Sequence, residues 1–186
     1  MSKSNIVKSI VIMLILSIIS ASPILLFLVC MLNIPDPPAP EITYAEFPFC
    51  ITYEVDGEIK TYEDVIICEY AGIESWGTAG KYRKWSKKLM SGNKYITLLK
   101  SKTNELSFEI SVPIPGLPEY YMGDFRQSKT EYERTMKDRR YLGYKQWEDG
   151  VQTSCSITKE EAWEKYHIKI IDQQYSQPIE NKFIDK

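Results

Sequence analysis

The sequence predicts an α+β architecture: an N-terminal transmembrane helix followed by a β-rich, mostly antiparallel domain with one short C-terminal helix. Three observations carry this expectation. Residues 9–34 contain no charged side chain and are mostly Ile, Leu, Val and Met. Two runs rich in β-branched and aromatic residues flank Asp56-Gly57, the strongest short-range hairpin signal. Thr158 and Glu161 have the spacing of a capping box, and Ala162, Trp163 and Tyr166 follow on one face of an amphipathic helix.

The uncharged run covers 26 positions, where about 18–20 apolar residues suffice to cross a bilayer as a helix. At about 1.5 Å per residue it reaches roughly 39 Å, against a hydrocarbon core of about 30 Å. The anchor, residues 1–34 with the span beginning near Ile6, therefore has length to spare for tilt. Lys3 and Lys8 precede the span, whereas Asp36 and Glu41 are the first charges after it. This asymmetry predicts a single-pass protein with a cytoplasmic N-terminus and an extracytoplasmic C-terminal part. Pro23, near mid-span, removes a backbone donor and predicts a kink. Ser17 and Ala21 form a small-xxx-small pair that lets helices approach, although small residues are ordinary in spans.

Three other readings of this segment stay open. Signal-peptide cleavage after Ala21 would leave Ile19 where a small residue is wanted, with a long apolar run beyond the cut. Lipidation of Cys30 would place Val29 where a small residue is wanted. A membrane-buried core helix of a larger complex is the third.

Residues 35–43 form a Pro-rich spacer. Four prolines within residues 35–40 favour polyproline II, roughly 19 Å long at about 3.1 Å per residue. Residues 44–180 are expected to form one extracytoplasmic β-rich domain, and residues 181–186 to fray. The 146 residues beyond position 40 are enough for one core. They carry 21 basic and 24 acidic side chains, a mild balance that gives no reason to expect nucleic acid. An aromatic content of 12% argues for a folded domain.

Within that domain, residues 44–55 and 58–69 predict a hairpin. Either a two- or a three-residue loop separates Cys50 from Cys68 by roughly 16–20 Å along the ladder. A disulfide needs Cα atoms within about 7 Å, so the pair is expected to stay unbridged. Residues 81–90, 95–100 and 106–112 read as a meander turning at Ser91-Gly92-Asn93 and Lys102-Thr103-Asn104. Leu106, Phe108, Ile110 and Val112 alternate with polar residues, as a half-buried strand does. Residues 119–124 read as loop or short strand. Ser128 and Glu131 suggest a short helix to about Arg139. Gly143 and residues 147–150 read as loop, and residues 168–175 as a closing strand.

Charge reverses sharply along the chain. Residues 41–75 hold nine acidic side chains and one basic, whereas residues 76–102 hold eight basic and none acidic. Lys81, Arg83, Lys84, Lys87 and Lys88, interleaved with Tyr82 and Trp85, are the candidate binding residues, a patch for phosphate-bearing polymers or lipid headgroups. The plainer expectation is a basic strand beside the acidic hairpin, with cross-strand charge pairs.

His167, the one histidine, falls at the expected helix end, where it complements the dipole. With no metal-ligand spacing, glycine-rich phosphate loop or nucleophile elbow, neither a catalytic set nor a cofactor is expected. Glu119 and Asp124 are a carboxylate pair, and the Trp and Tyr side chains a sugar-stacking candidate, although aromatics in a small domain are usually core.

The stretch from Phe47 to Lys60 (Phe-Pro-Phe-Cys-Ile-Thr-Tyr-Glu-Val-Asp-Gly-Glu-Ile-Lys), Gly80-Lys-Tyr-Arg-Lys-Trp85 and Pro118-Glu-Tyr-Tyr-Met-Gly-Asp124 resemble uncharacterised single-span membrane-anchored proteins of Gram-positive bacteria. The resemblance covers most of residues 41–180 and implies a bacterial source and a membrane location. It transfers no activity and no site residue. The expectation is a membrane-anchored extracytoplasmic module for non-enzymatic binding or assembly at the cell envelope. Its partner would be an envelope polymer, a lipid headgroup or a protein. The alternatives are a membrane-tethered hydrolase using acidic residues and an accessory subunit of a membrane complex. Oligomeric state is left open.

Overall fold

The structure, a computed structural model, describes residues 34–75, 80–102, 106–125, 128–137, 141–148 and 151–184. The expected span, with Ser17, Ala21, Pro23 and Cys30, lies outside the described residues apart from Ile34. Among the described residues no helix is long and apolar enough to cross a membrane.

In chain order the elements are β1 (Ala39–Pro40), β2 (Tyr44–Val55), β3 (Glu58–Ser75), β4 (Lys81–Leu89), β5 (Ile96–Lys102) and β6 (Leu106–Val112). Then come α1 (Pro118–Tyr121), α2 (Lys129–Lys137), β7 (Tyr141–Glu148), β8 (Val151–Thr158), α3 (Lys159–Tyr166), β9 (Ile168–Tyr175) and β10 (Phe183–Ile184). The chain divides into two compact units. One joins Met1–Pro38 to Ile73–Arg83; the other joins Ala39–Gly72 to Lys84–Lys186.

In the larger unit, β2 and β3 pair antiparallel without a register shift from Tyr44↔Glu69 to Val55↔Glu58. Asp56-Gly57 forms the two-residue turn, with both residues at positive φ (51° and 82°), the conformation that selects Asp-Gly in such hairpins. Phe47, Phe49, Ile51, Tyr53 and Val55 alternate into the core. β2 also pairs antiparallel with β9, which gives a four-stranded sheet in the order β4-β3-β2-β9. A second antiparallel sheet runs β5-β6-β7-β8. Core residues of both sheets, Phe47, Ile51, Ile66, Ile96, Ile110 and Leu142 among them, belong to one buried cluster.

The expected meander is corrected at its first turn. β4 belongs to the sheet of β3, whereas β5 opens the other sheet. The Met90 N–H still bonds the Val65 carbonyl (2.9 Å), and Gly92 turns at φ +76° to bond the Leu89 carbonyl (3.0 Å). The chain then leaves β3 instead of folding back on β4.

Gly143 and residues 147–148, expected as loop, lie within strand β7, and residues 151–158, for which no element was expected, form β8. Gly143 sits inside β7 opposite Ser111, and a Cβ there would lie 3.1 Å from the Ser111 Oγ. The glycine admits a close approach and does not end the strand. Residues 118–121 are helical where loop or short strand was expected, and α2 falls where Ser128 and Glu131 suggest a helix, so the described residues hold two helices besides the C-terminal one.

Thr158 and Glu161 form the expected capping box, with bonds of 2.9 and 3.1 Å. Ala162 is buried, but Trp163 is 43% exposed, so the helix buries less of its apolar face than its spacing suggests. Residues 181–184 are paired where fraying was expected: β10 pairs with β1, and the Asn181 side chain bonds both the N–H and the carbonyl of Ile42.

In the smaller unit the Lys81 ammonium lies 2.8 Å from the Asp36 carboxylate. The Arg83 guanidinium donates to the Pro38 carbonyl at 3.1 Å. The charges that open β4 are thus tied to the Pro-rich segment.

Candidate binding surface

Strand alternation divides the five basic candidates between two faces. Lys81, Arg83 and Lys87 share the parity of the buried Trp85 and Leu89, whereas Lys84 and Lys88 stand on the other side and are exposed. Lys87 is committed locally. Its ammonium donates to the carbonyls of Ile114 (2.9 Å) and Gly116, which pins the Pro-rich turn after β6. Lys88 reaches the Glu69 carboxylate of β3 at 3.2 Å, a cross-strand ion pair of the kind the charge reversal suggests. Both partners are well exposed, where such pairs contribute about 0–1 kcal/mol. The structure therefore does not gather the five residues into one cationic face.

The carboxylate pair also separates by environment. Asp124 is 3% exposed and accepts a hydrogen bond from the Trp85 indole (2.8 Å). This ties β4 to the turn after α1, while Glu119 contributes its backbone carbonyl to the Asp124 N–H. The aromatics are largely core: Tyr53, Trp85, Tyr120, Tyr121 and Tyr132 are buried. His167 caps α3 in the left-handed conformation (φ 51°), its N–H bonded to the Trp163 carbonyl. Among the described residues no group of three His, Cys, Asp or Glu side chains is placed to hold a metal ion.

Two concavities in the larger unit escaped the sequence reading. An open groove of about 680 Å³ lies where the C-terminal end of β9 meets the middle of β2 and β3, between Pro48, Phe49, Cys50, Asp64, Met90 and Tyr175. Glu63 and Asp64 are its acidic lining residues, and Asp64 is the more closely bonded. Partial burial acts to raise the pKa of this carboxyl, but bonds from the Ser91 hydroxyl, the Val65 N–H and the Tyr62 hydroxyl outweigh that and hold it low. A smaller hollow of about 400 Å³ lies beside α3, lined by Leu142, Trp163, Ile168 and Ile170. Neither has a local sequence signal, because each is assembled from segments far apart in the chain.

The three described cysteines are unbridged, and for Cys50 and Cys68 the hairpin register requires it: Cys50 faces Glu63, and Cys68 faces Ala45. Cys68 is fully buried. Desolvation pushes its thiol up to about 12 despite the opposing charge of Lys87. Cys155 is exposed.

No known protein family, curated protein or solved structure matches the chain.

Proposed function

We propose that the chain is a single-span protein of a bacterial, Gram-positive-type envelope, with its N-terminus in the cytoplasm. Its β-rich domain stands outside as a non-enzymatic binding or assembly module. The observation that carries this reading is the 26-residue uncharged run, flanked by lysines on its N-terminal side. Two features of the structure support it. The folded unit takes up the chain at Ala39, five residues beyond the run. The conspicuous polar groups, Asp124, Lys87 and Lys81, are engaged in holding segments together. What the module offers a partner is its sheet edges and shallow grooves.

The exposed Cys155 provides the test. In a Cys50→Ser background, a membrane-impermeant maleimide applied to intact cells should label the chain at Cys155, and adding Cys155→Ser should abolish that labelling. Cys68 should react only after denaturation. Labelling of Cys155 only in lysed cells would overturn the outside location and redirect the search to cytoplasmic partners.

A further inference from the structure

Each four-stranded sheet has two edges, and three of the four carry devices that discourage a further strand. β4 presents five basic side chains, of which Lys84 and Lys88 stand exposed. β5 carries Lys100 and Lys102 and shifts register against β6 between Thr97 and Leu99. β9 carries Lys169 and Asp172, and its pairing with β2 shifts between Thr52 and Tyr53. Edge charge and irregularity are the usual protections against strand addition. β8 has none of them. Its sequence, Val-Gln-Thr-Ser-Cys-Ser-Ile-Thr, has no charge and no proline. It pairs with β7 in unbroken register from Tyr141↔Thr158 to Glu148↔Val151. Residues 151–156 are exposed on both faces, and Val151 is 66% exposed. Among the described residues no strand lies on its outer side.

We propose that the outer edge of β8 pairs antiparallel with β8 of a second copy of this chain, joining two four-stranded sheets into one of eight. The order would be β5-β6-β7-β8 followed by its mirror in the copy. An uncharged row of amide and hydroxyl side chains meets an identical row without like-charge opposition, which no other edge of the two four-stranded sheets offers. Antiparallel pairing also turns the Glu148 end of one hairpin toward the end of β8 in the other copy, where Lys159 is the first charge met. A two-fold axis normal to the sheet admits only registers whose paired residue numbers add to an even total, because opposed residues must direct their backbone groups alike. The registers centred on Ser154 and on Cys155 both engage seven residues of each strand. They set the two Cys155 Cα atoms roughly 8 Å and about 5 Å apart, respectively.

The test uses the full chain in detergent and does not depend on which side of the membrane the domain occupies. A short bis-maleimide should join two copies through Cys155, and analytical ultracentrifugation should show a concentration-dependent dimer. Cys155→Ser should remove the cross-link and keep the dimer. Thr153→Lys with Ser154→Lys, both at exposed positions, should weaken dimerisation roughly tenfold or more, with the circular dichroism unchanged. Ser154→Lys alone makes the same test should the double variant fail to fold. A monomeric native chain over the same concentrations would overturn the proposal. So would a dimer of unchanged affinity in the lysine variants, which would reveal contact through another surface such as the apolar N-terminal run.

Discussion

Gly123 shows how much one residue settles. Its φ is +67°, and a Cβ there would stand 2.5 Å from the Ile179 carbonyl oxygen, a backbone atom that cannot swing aside. Gly57 has a comparable φ of +82° but open space around it. Gly123→Ala is therefore expected to cost about 2–3 kcal/mol in urea unfolding, against about 1 kcal/mol for Gly57→Ala, the ordinary cost of the conformation alone. Equal losses for the two would refute the steric account. At this scale the sequence was legible where geometry is one-dimensional. The spacing of Cys50 and Cys68 about the Asp-Gly turn excludes their disulfide, and both are unbridged. It was illegible where a residue answers to a neighbour across the sheet, as Gly143 does to Ser111.

Among the elements, α3 is the most self-contained. Its capping box satisfies two backbone donors reciprocally, so Thr158→Ala should lower stability by about 1 kcal/mol and speed amide exchange at Glu161. An unchanged exchange rate there would mean that packing on β8 and β9 holds the helix start without the cap. Elements with one buried face, β2 and β9, or with cap chemistry, α2 and α3, could be read in advance. β7 and β8 could not, because β8 is exposed on both faces over six residues and so lacks alternation. The meander failed for another reason. Ser91-Gly92-Asn93 announces a turn, but turn chemistry does not say which sheet the chain enters next, and β5 enters the sheet of β6. The basic block divides between two faces for a related reason, since a strand sends neighbouring side chains to opposite sides.

At the scale of the whole molecule, the larger unit is closed by residues 179–184. Phe183–Ile184 pair with Ala39–Pro40, the Glu41 N–H bonds the Lys182 carbonyl at 2.8 Å, and the Ile179 N–H bonds the Tyr121 carbonyl at 3.0 Å. A chain ending at residue 180 should show accelerated amide exchange at Glu41 and Ile42 and a lower melting temperature; unchanged protection would mean that residues 181–184 merely rest on the surface. No local pattern foretold this pairing, because Asn181 and Ile42 stand 139 residues apart. The arrangement also orders events during synthesis. Translation adds about 5–20 residues per second, and the first strand of this unit is made long before the last. β1 has no partner until residues 183 and 184 have been added, and β2 lacks its second neighbour until β9 has emerged. Closure of this unit must therefore follow synthesis of residues 183 and 184.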